Sequence, residues 1–518
     1  MKNKKMKIYE VLEGDSGVLY LTDQFGEEEI FKPNYDLDEA RKMLFDFYHL
    51  ETNKNKLVKD SFVINNRNWF PNTVSQLYWQ FFVPMVKFKT LLDKYIANEI
   101  SFSKITSVSD KASTFSNLIS IIRKTPENKI PAFYKDLYNK LINFRNLLIV
   151  RKKGDLIIYK YLIDDFRLND LISDLSKEFS ILTVSWVSKR KLLKYFFKRD
   201  VFFYTYPLKS FENNIHILNN SSVYFDRALS LVQSTIKSQR KAQKNIQLTF
   251  NKLNYKLFLG LDDTNVVYPL IYASKENGLR TIGIQHGFYS QRHESYLMNF
   301  IDSYDWFDNV IVWGKYWQEI IIKNSKLFSK DFHLIGSKKL PFDFVENNTK
   351  NNNKSILIPY EFLSDTIKIG SYIKKFIDLD FQIYFKVRPD KNINIQIQTL
   401  NLNEYEARLK IVENISPALM EKIDIVAGSM STLIYDLLVF NKPTWIFSDA
   451  YKILDDMADN NLARLISDED MLDIENIYLQ EMNHKPNIDI SYIFDENYMG
   501  DIIRTIFNSN DKQFTKNS

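Results

Sequence analysis

At 518 residues the chain exceeds what one hydrophobic core usually supports, and 45% hydrophobic and 15% aromatic residues against 13 Gly and 13 Pro exclude a fibrous or disordered protein. The absence of cysteine excludes disulfides and thiolate metal sites, and six scattered histidines have no metal-ligand spacing, so no metal and no resident cofactor are expected. The net charge of +5 conceals an asymmetry: residues 341–518 hold 18 Lys+Arg and 28 Asp+Glu, whereas residues 1–340 hold 51 and 36. A basic first half favours an anionic partner, and an acidic second half argues against a nucleic-acid binder.

The basic start, Met1 to Lys7, leads into no signal-like apolar stretch, and no run approaches the ~18 apolar residues of a membrane span, so a cytoplasmic protein is expected. Residues 1–35 carry a Gly-Asp-Ser-Gly turn signal and read as a small hairpin. Leu37 to Leu50, Val74 to Ile100 and Pro131 to Phe144 read as helices, the second with an aromatic stripe that packing alone would explain. Residues 1–145 are therefore expected to be a mainly helical extension of the domain that follows.

From Asn146 short apolar strands alternate with helices: Leu147 to Val150, Leu156 to Tyr161, Ile181 to Val184, Val201 to Thr205, then a long helix from about Tyr224 to Lys244. Ser188 to Arg199 and Lys237 to Lys244 are strongly basic. The first interleaves its charges with Leu, Tyr and Phe, the pattern of a helix lying on an anionic membrane face, and a solvated helix face explains it equally well.

Tyr255 to Gly287 is the centre of this half. A buried strand ends in Asp262 and Asp263, a helix runs to about Asn277, and a second strand ends in Gln285, His286 and Gly287, so the polar residues gather past the carboxyl ends of parallel strands, where such sheets hold ligands. Another strand-helix-strand unit leads to Gly336-Ser337. The Asn-rich stretch from Pro341 to Lys354 is the expected boundary, separating a Rossmann-like unit over 146–340 from another over 341–487, with a terminal helix and tail over 488–518.

In the second unit Ser355 to Ile358 is a strand ending at Tyr360 and Glu361, and Gln382 to Val387 carries Lys386 and Arg388 at its end. Ile423 to Ala427 leads into Gly428, Ser429, Met430, Ser431 and Thr432 ahead of a helix from Leu433 to Phe440, and hydroxyls with free backbone N–H groups at such a turn suit a phosphate. Capping alone would use one of the hydroxyls. Two such units with ligand groups at their strand ends imply a cleft, which is the layout of a nucleotide-sugar transferase.

The ordered set G-I-Q-H-G at 283–287, V-I-V-W-G at 310–314, L-I-G-S at 334–337, F-K-V-R-P at 385–389, D-I-V-A-G-S-M-S-T-L at 424–433 and N-K-P at 441–443 resembles bacterial surface-polysaccharide glycosyltransferases of GT-B fold. These include capsule and lipopolysaccharide transferases that use CMP-linked ulosonic acids, and the related CDP-glycerol glycerophosphotransferases. The resemblance covers about residues 250–450 and puts Asp436 in the family's acidic place. It implies an α/β protein of two facing Rossmann-like domains, a nucleotide-sugar co-substrate, and a lipid-linked or oligosaccharide acceptor at the inner face of the cytoplasmic membrane. It implies Asp262, Asp263 and His286 as catalytic candidates, Asp262 first as base. Donor contacts fall to Tyr360, Glu361, Lys386, Arg388, Gly428, Ser429, Ser431 and Thr432, and acceptor contacts to Gln285, Arg292 and His293. Asp263 as a helix cap is the plainer alternative. Arg388 departs from the family's His-Pro, so that histidine's role does not carry over; arginine neutralises a phosphate without releasing a proton near neutral pH. The departure lowers the alternative of a CDP-polyol phosphotransferase, and a non-catalytic assembly module is the third reading.

Overall fold

The computed structural model describes residues 6–14, 17–107, 113–123, 132–163, 165, 167–186, 191–204, 215–218, 222–261, 267–292, 306–325, 332–338, 354–361, 365–388, 392–448, 452–483 and 488–514. The first strands are β1 (Lys7–Glu13), β2 (Leu19–Asp23), β3 (Glu28–Phe31) and β4 (Ile100–Ser107), in the order β3-β2-β1-β4. β1 pairs antiparallel with β2 and parallel with β4. The amino-terminal part is thus not simply helical: a small mixed sheet accompanies α1 (Leu37–Tyr48) and α2 (Val83–Ile96). In residues 100–107 Ser, Thr and Lys alternate with apolar residues, a period-two pattern that a half-buried strand tolerates. The aromatic stripe is core, with Trp69, Phe70, Tyr78, Phe81, Phe82 and Phe88 all buried.

This part lies against the first lobe. Trp69 meets Tyr272 edge-on at 5.0 Å, Tyr272 donates a hydrogen bond to Asn72 at 3.0 Å, and Tyr224 donates to Asp93 at 2.6 Å. Residues 147–149, expected in a strand, are instead the last turn of α3 (Ala132–Ile149); four apolar residues are too few for periodicity to separate strand from helix.

The first lobe's sheet comprises β5 (Leu156–Leu162), β6 (Ile181–Trp186), β7 (Val201–Phe203), β8 (Leu257–Leu261), β9 (Arg280–Ile284), β10 (Asn309–Val312) and β11 (His333–Ile335). Its order is β11-β10-β9-β8-β5-β6-β7 and every pairing is parallel. Helices α4 (Leu192–Tyr195), α5 (Val223–Phe250), α6 (Tyr268–Glu276) and α7 (Lys315–Asn324) belong to it. The second lobe's sheet comprises β12 (Ser355–Pro359), β13 (Gln382–Lys386), β14 (Leu409–Val412), β15 (Ile425–Gly428), β16 (Thr444–Phe447) and β17 (Arg464–Ile466). It is also all-parallel, in the order β14-β13-β12-β15-β16-β17, with α8 (Ile393–Thr399) and α9 (Thr432–Leu437) beside it. Both sheets are doubly wound, as expected, and the direction of winding reverses between β5 and β8 in one and between β12 and β15 in the other. A crevice opens at such a reversal on the carboxyl side of the strands.

The amino edges of the strands carry a repeated device. Asp155 accepts the backbone N–H and hydroxyl of Ser180, Asp308 those of Thr281, and Asp424 those of Ser355, at 2.7 to 3.0 Å. Each pair ties neighbouring strands. The acids at this edge are structural, including the Asp424 that opens the D-I-V-A-G-S motif.

Past the second sheet the chain returns to the first lobe. Asp495 N–H donates to the carbonyl of Trp313 at 2.8 Å, Ser337 N–H donates to that of Asn497 at 2.9 Å, and Trp317 Nε1 donates to that of Ile493 at 2.9 Å. A Cβ at Gly314 would collide with the Ile493 carbonyl, so the close approach requires glycine there. The last helix, α10 (Met499–Phe514), is fixed by Arg504, which reaches Asp174 at 2.8 Å and Glu178 at 2.9 Å.

Candidate functional site

On the first lobe, β8 is buried along its whole length and ends at Leu261. Asp262, Asp263 and His293 lie outside the described residues. At the end of β9, Gln285 is buried: its Oε1 accepts the N–H of Trp313 at 2.9 Å and its Nε2 donates to the Gly287 carbonyl at 2.8 Å. Its amide therefore joins the ends of β9 and β10 and shapes the turn on which the half-buried His286 stands.

Beyond Gly287 the loop crosses to the second lobe. Phe288 stacks on Tyr435 of α9 with centroids 6.1 Å apart. The N–H of Gln291 donates to Asp456 at 2.8 Å, and burial raises that carboxyl's pKa against the pull of this hydrogen bond, of Arg292 and of the Ser290 hydroxyl. Arg292 donates through Nη1 to the carbonyl of Lys452 at 3.1 Å and stands 3.7 Å from Asp38 of α1. Arg292, expected to face an acceptor, thus joins the loop, the amino-terminal part and the second lobe.

The second lobe's crevice collects groups from three strand ends. Glu361 follows β12, Arg388 follows β13, and Ser429 and Ser431 follow β15. Ser431 caps α9, its Oγ accepting the Leu433 N–H at 3.3 Å, and the same hydroxyl hydrogen-bonds the Glu361 carboxyl. Burial is the largest influence on Glu361 and pushes its pKa up to about 7, with Ser431 and the charge of Arg388 pulling the other way. It is the carboxyl of this crevice able to carry a proton near neutrality. Ser429 Oγ is buried with no hydrogen-bond partner in the protein. A buried hydroxyl in that condition costs about 1–3 kcal/mol, which a ligand oxygen would offset.

The other expected donor contacts differ in position. Tyr360 is buried with its ring edge-on to Phe385 at 6.1 Å. Lys386 Nζ donates to the carbonyl of Val387 at 2.6 Å, and burial lowers its pKa against the attraction of Glu413. Thr432 is the half-buried first residue of α9, and a Cβ at Gly428 would come within 2.7 Å of Ile434 Cδ1. The helix expected to reach Phe440 ends at Leu437 before a tight 3-10 turn, so hydroxyls rather than a long helix dipole dominate the turn.

Three supporting residues carried no local sequence signal. Gln396 of α8 is fully buried and holds the backbone of Arg388 from both sides, accepting its N–H at 2.9 Å and donating to its carbonyl at 3.1 Å. Lys338 of the first lobe forms a 2.6 Å ion pair with Asp436 and lies over the Trp313 ring at 4.4 Å. Asp456 receives the loop after His286. Lys338 and Asp456 act across long stretches of sequence, and Gln396 acts eight residues back. Tyr435 also meets Tyr316 hydroxyl to hydroxyl at 3.2 Å, so both lobes enclose the helix that Ser431 caps.

No family model and no curated protein matches the sequence. Among solved structures, MurG of Acinetobacter baumannii is 12% identical with a TM-score of 0.43, over 68% of this chain and 100% of that one. UDP-N-acetylglucosamine 2-epimerase of Rickettsia bellii is 12% identical with a TM-score of 0.44, over 70% and 98%. A variant of the wall teichoic acid polymerase TagF is 12% identical with a TM-score of 0.37, over 74% and 100%.

Proposed function

We propose that this protein is a metal-independent glycosyltransferase that moves an acidic ulosonic acid from a CMP-linked donor to a hydroxyl of a growing cell-surface polysaccharide or lipid-linked glycan. The observation that carries the reading is the second-lobe crevice at a reversal of strand order, where Ser431 and Arg388 both act on the Glu361 carboxyl and the unpartnered hydroxyl of buried Ser429 stands two residues before Ser431. The donor phosphate accepts from Ser429 and Ser431 and is neutralised by Arg388. Glu361, protonated below about pH 7, donates to a phosphate oxygen and compensates the leaving nucleotide's charge. The histidine absent from position 388 is thereby replaced in function by a carboxyl from the neighbouring strand. The acceptor hydroxyl loses its proton to Asp262, with Asp263 and His286 as the other bases at the opposite strand ends.

The acceptor's source is the membrane. On α4 and just after it Leu193 and Phe197 are 85% and 79% exposed, between Lys191, Lys194, Lys198 and Arg199. This is the described part of the basic stretch 188–199, and it fits peripheral contact with the anionic inner face of the cytoplasmic membrane. The test is a panel of CMP- and UDP-sugars read by nucleotide release from the purified protein with a lipid-linked acceptor. CMP release is expected, and release from no donor, or consumption of CDP-glycerol instead, overturns the reading.

A further inference from the structure

Away from the crevice, the outer face of α5 borders a groove of about 440 Å³. Its rim carries Lys54, Lys237, Arg240, Lys241 and Lys244, and no carboxylate lines it among the described residues. Its floor includes the buried side chains of Phe62, Ile215 and Ile236. A second hollow of about 250 Å³ continues it, sharing Ile64, Arg240 and Lys244 and adding Arg67. The acid there, Glu276, is engaged by Arg67 at 3.6 Å and by Gln243 at 2.7 Å.

The charges on α5 recur every three or four residues, so they form one stripe, and Lys237 to Lys244 spans roughly 10 Å of helix. A row of cations beside an apolar floor matches a flexible chain bearing a negative charge at each repeat. A bilayer, being flat, does not enter such a concavity, and the projecting Leu193 and Phe197 lie on another element. Single-stranded nucleic acid would need exposed aromatic faces on which to stack, and Phe62 and Trp69 are buried.

We propose that this groove binds a linear polyanion, a glycan or polyol chain with phosphate or carboxylate in each repeat, as a docking site for the acceptor polymer. It rests on the transferase reading only in naming the occupant an acceptor. α5 runs antiparallel to the strands and its Gln243 meets Glu276 at the end of α6, so the Lys241–Lys244 end of the groove lies toward the amino edge of the sheet, away from the strand ends. The groove holds repeats behind the growing end, away from the reacting one.

The experiment measures fluorescence anisotropy of a labelled linear poly(glycerol phosphate) hexamer with the full chain. Binding is expected, weakening as salt rises, with about tenfold loss in Lys241→Glu/Lys244→Glu and retention in Lys241→Arg/Lys244→Arg. A dextran of equal length should not bind. Equal binding by the charge-reversed variant overturns the proposal, as does equally tight binding of a thymidine hexanucleotide, or loss in that variant of binding to phosphatidylglycerol vesicles alone. Binding of a CMP-sugar, read separately, reports folding of the variants. Polyanion binding without CMP-sugar binding would sink the transferase reading and leave the groove intact, and the converse would do the reverse.

Discussion

Lys338, just past the last strand of the first sheet, lies 2.6 Å from the carboxylate of Asp436 on the helix that Ser431 caps. Burial raises the pKa of Asp436 and Lys338 opposes that rise. Removing the lysine leaves desolvation uncompensated, so in Lys338→Ala the carboxyl takes up a proton more readily. Stability contributed by a raised carboxyl is present below its unfolded pKa and lost as pH rises through the folded one. Urea denaturation of Lys338→Ala should therefore show a loss of about 2 kcal/mol at pH 8 and a smaller one at pH 4.5.

The same sign rule governs Glu361, whose pKa stands at about 7. Affinity for a CMP-sugar, whose diester phosphate gains no proton near neutrality, should fall by about tenfold as pH passes upward through this value, because the carboxyl stops donating and begins to repel. Glu361→Gln should abolish that dependence and keep the low-pH affinity at pH 8. Calorimetric titration at two pH values decides it, and an unchanged pH profile in the variant would exclude the role.

Ser429 and Ser431 should separate. Ser429→Ala removes an unpartnered buried hydroxyl and should therefore raise the stability of the ligand-free chain by about 1 kcal/mol while weakening donor binding. Ser431→Ala removes a helix cap and should cost about 1 kcal/mol as well. Thermal denaturation alongside nucleotide-sugar titration distinguishes them.

Acids at the two edges of the sheets should also differ. Asp424 accepts the N–H and hydroxyl of Ser355 and the hydroxyl of Tyr478, so Asp424→Ala should destabilise the chain by about 3 kcal/mol. Asp262→Asn should leave the melting temperature nearly unchanged and lower the rate of nucleotide release by orders of magnitude. Equal rates in parent and Asp262→Asn would remove the residue from the chemistry.

For the membrane contact, Leu193→Ser/Phe197→Ser should abolish sedimentation with vesicles rich in phosphatidylglycerol and leave CMP-sugar binding as in the parent. Vesicle binding undiminished in that variant would exclude α4 as the contact.

The parallel-sheet architecture could be read from the sequence because each buried strand ends where polar residues begin, as at Leu261, Ile284 and Gly428. Hydrophobic length and a turn signal suffice for that. Of the mixed sheet at the amino terminus the β1–β2 hairpin was legible from its Gly-Asp-Ser-Gly turn, whereas β4 was not, since it borders solvent along much of its length and its composition is that of a loop. The last turn of α3 was misread because four apolar residues carry no period. At the site, Glu361, Arg388, Ser429 and Ser431 stood out by their place after strands. Lys338 and Asp456 did not, because each meets its partner across about a hundred residues or more, and Gln396 did not, because a glutamine inside a short helix carries no mark of the backbone it holds eight residues earlier. Asp424 opens the same motif as Ser429 and Ser431, and its position at the amino edge of its strand assigns it to the scaffold.

The return of the carboxyl-terminal segment to Trp313, Ser337 and Asp174 means that the polypeptide passes between the lobes twice. A body joined at two points pivots like a door on a pair of pins, about the line through both, and cannot swivel freely about a single tether. Parting the lobes would have to break the Phe288–Tyr435, Gln291–Asp456, Lys338–Asp436 and Tyr316–Tyr435 contacts together.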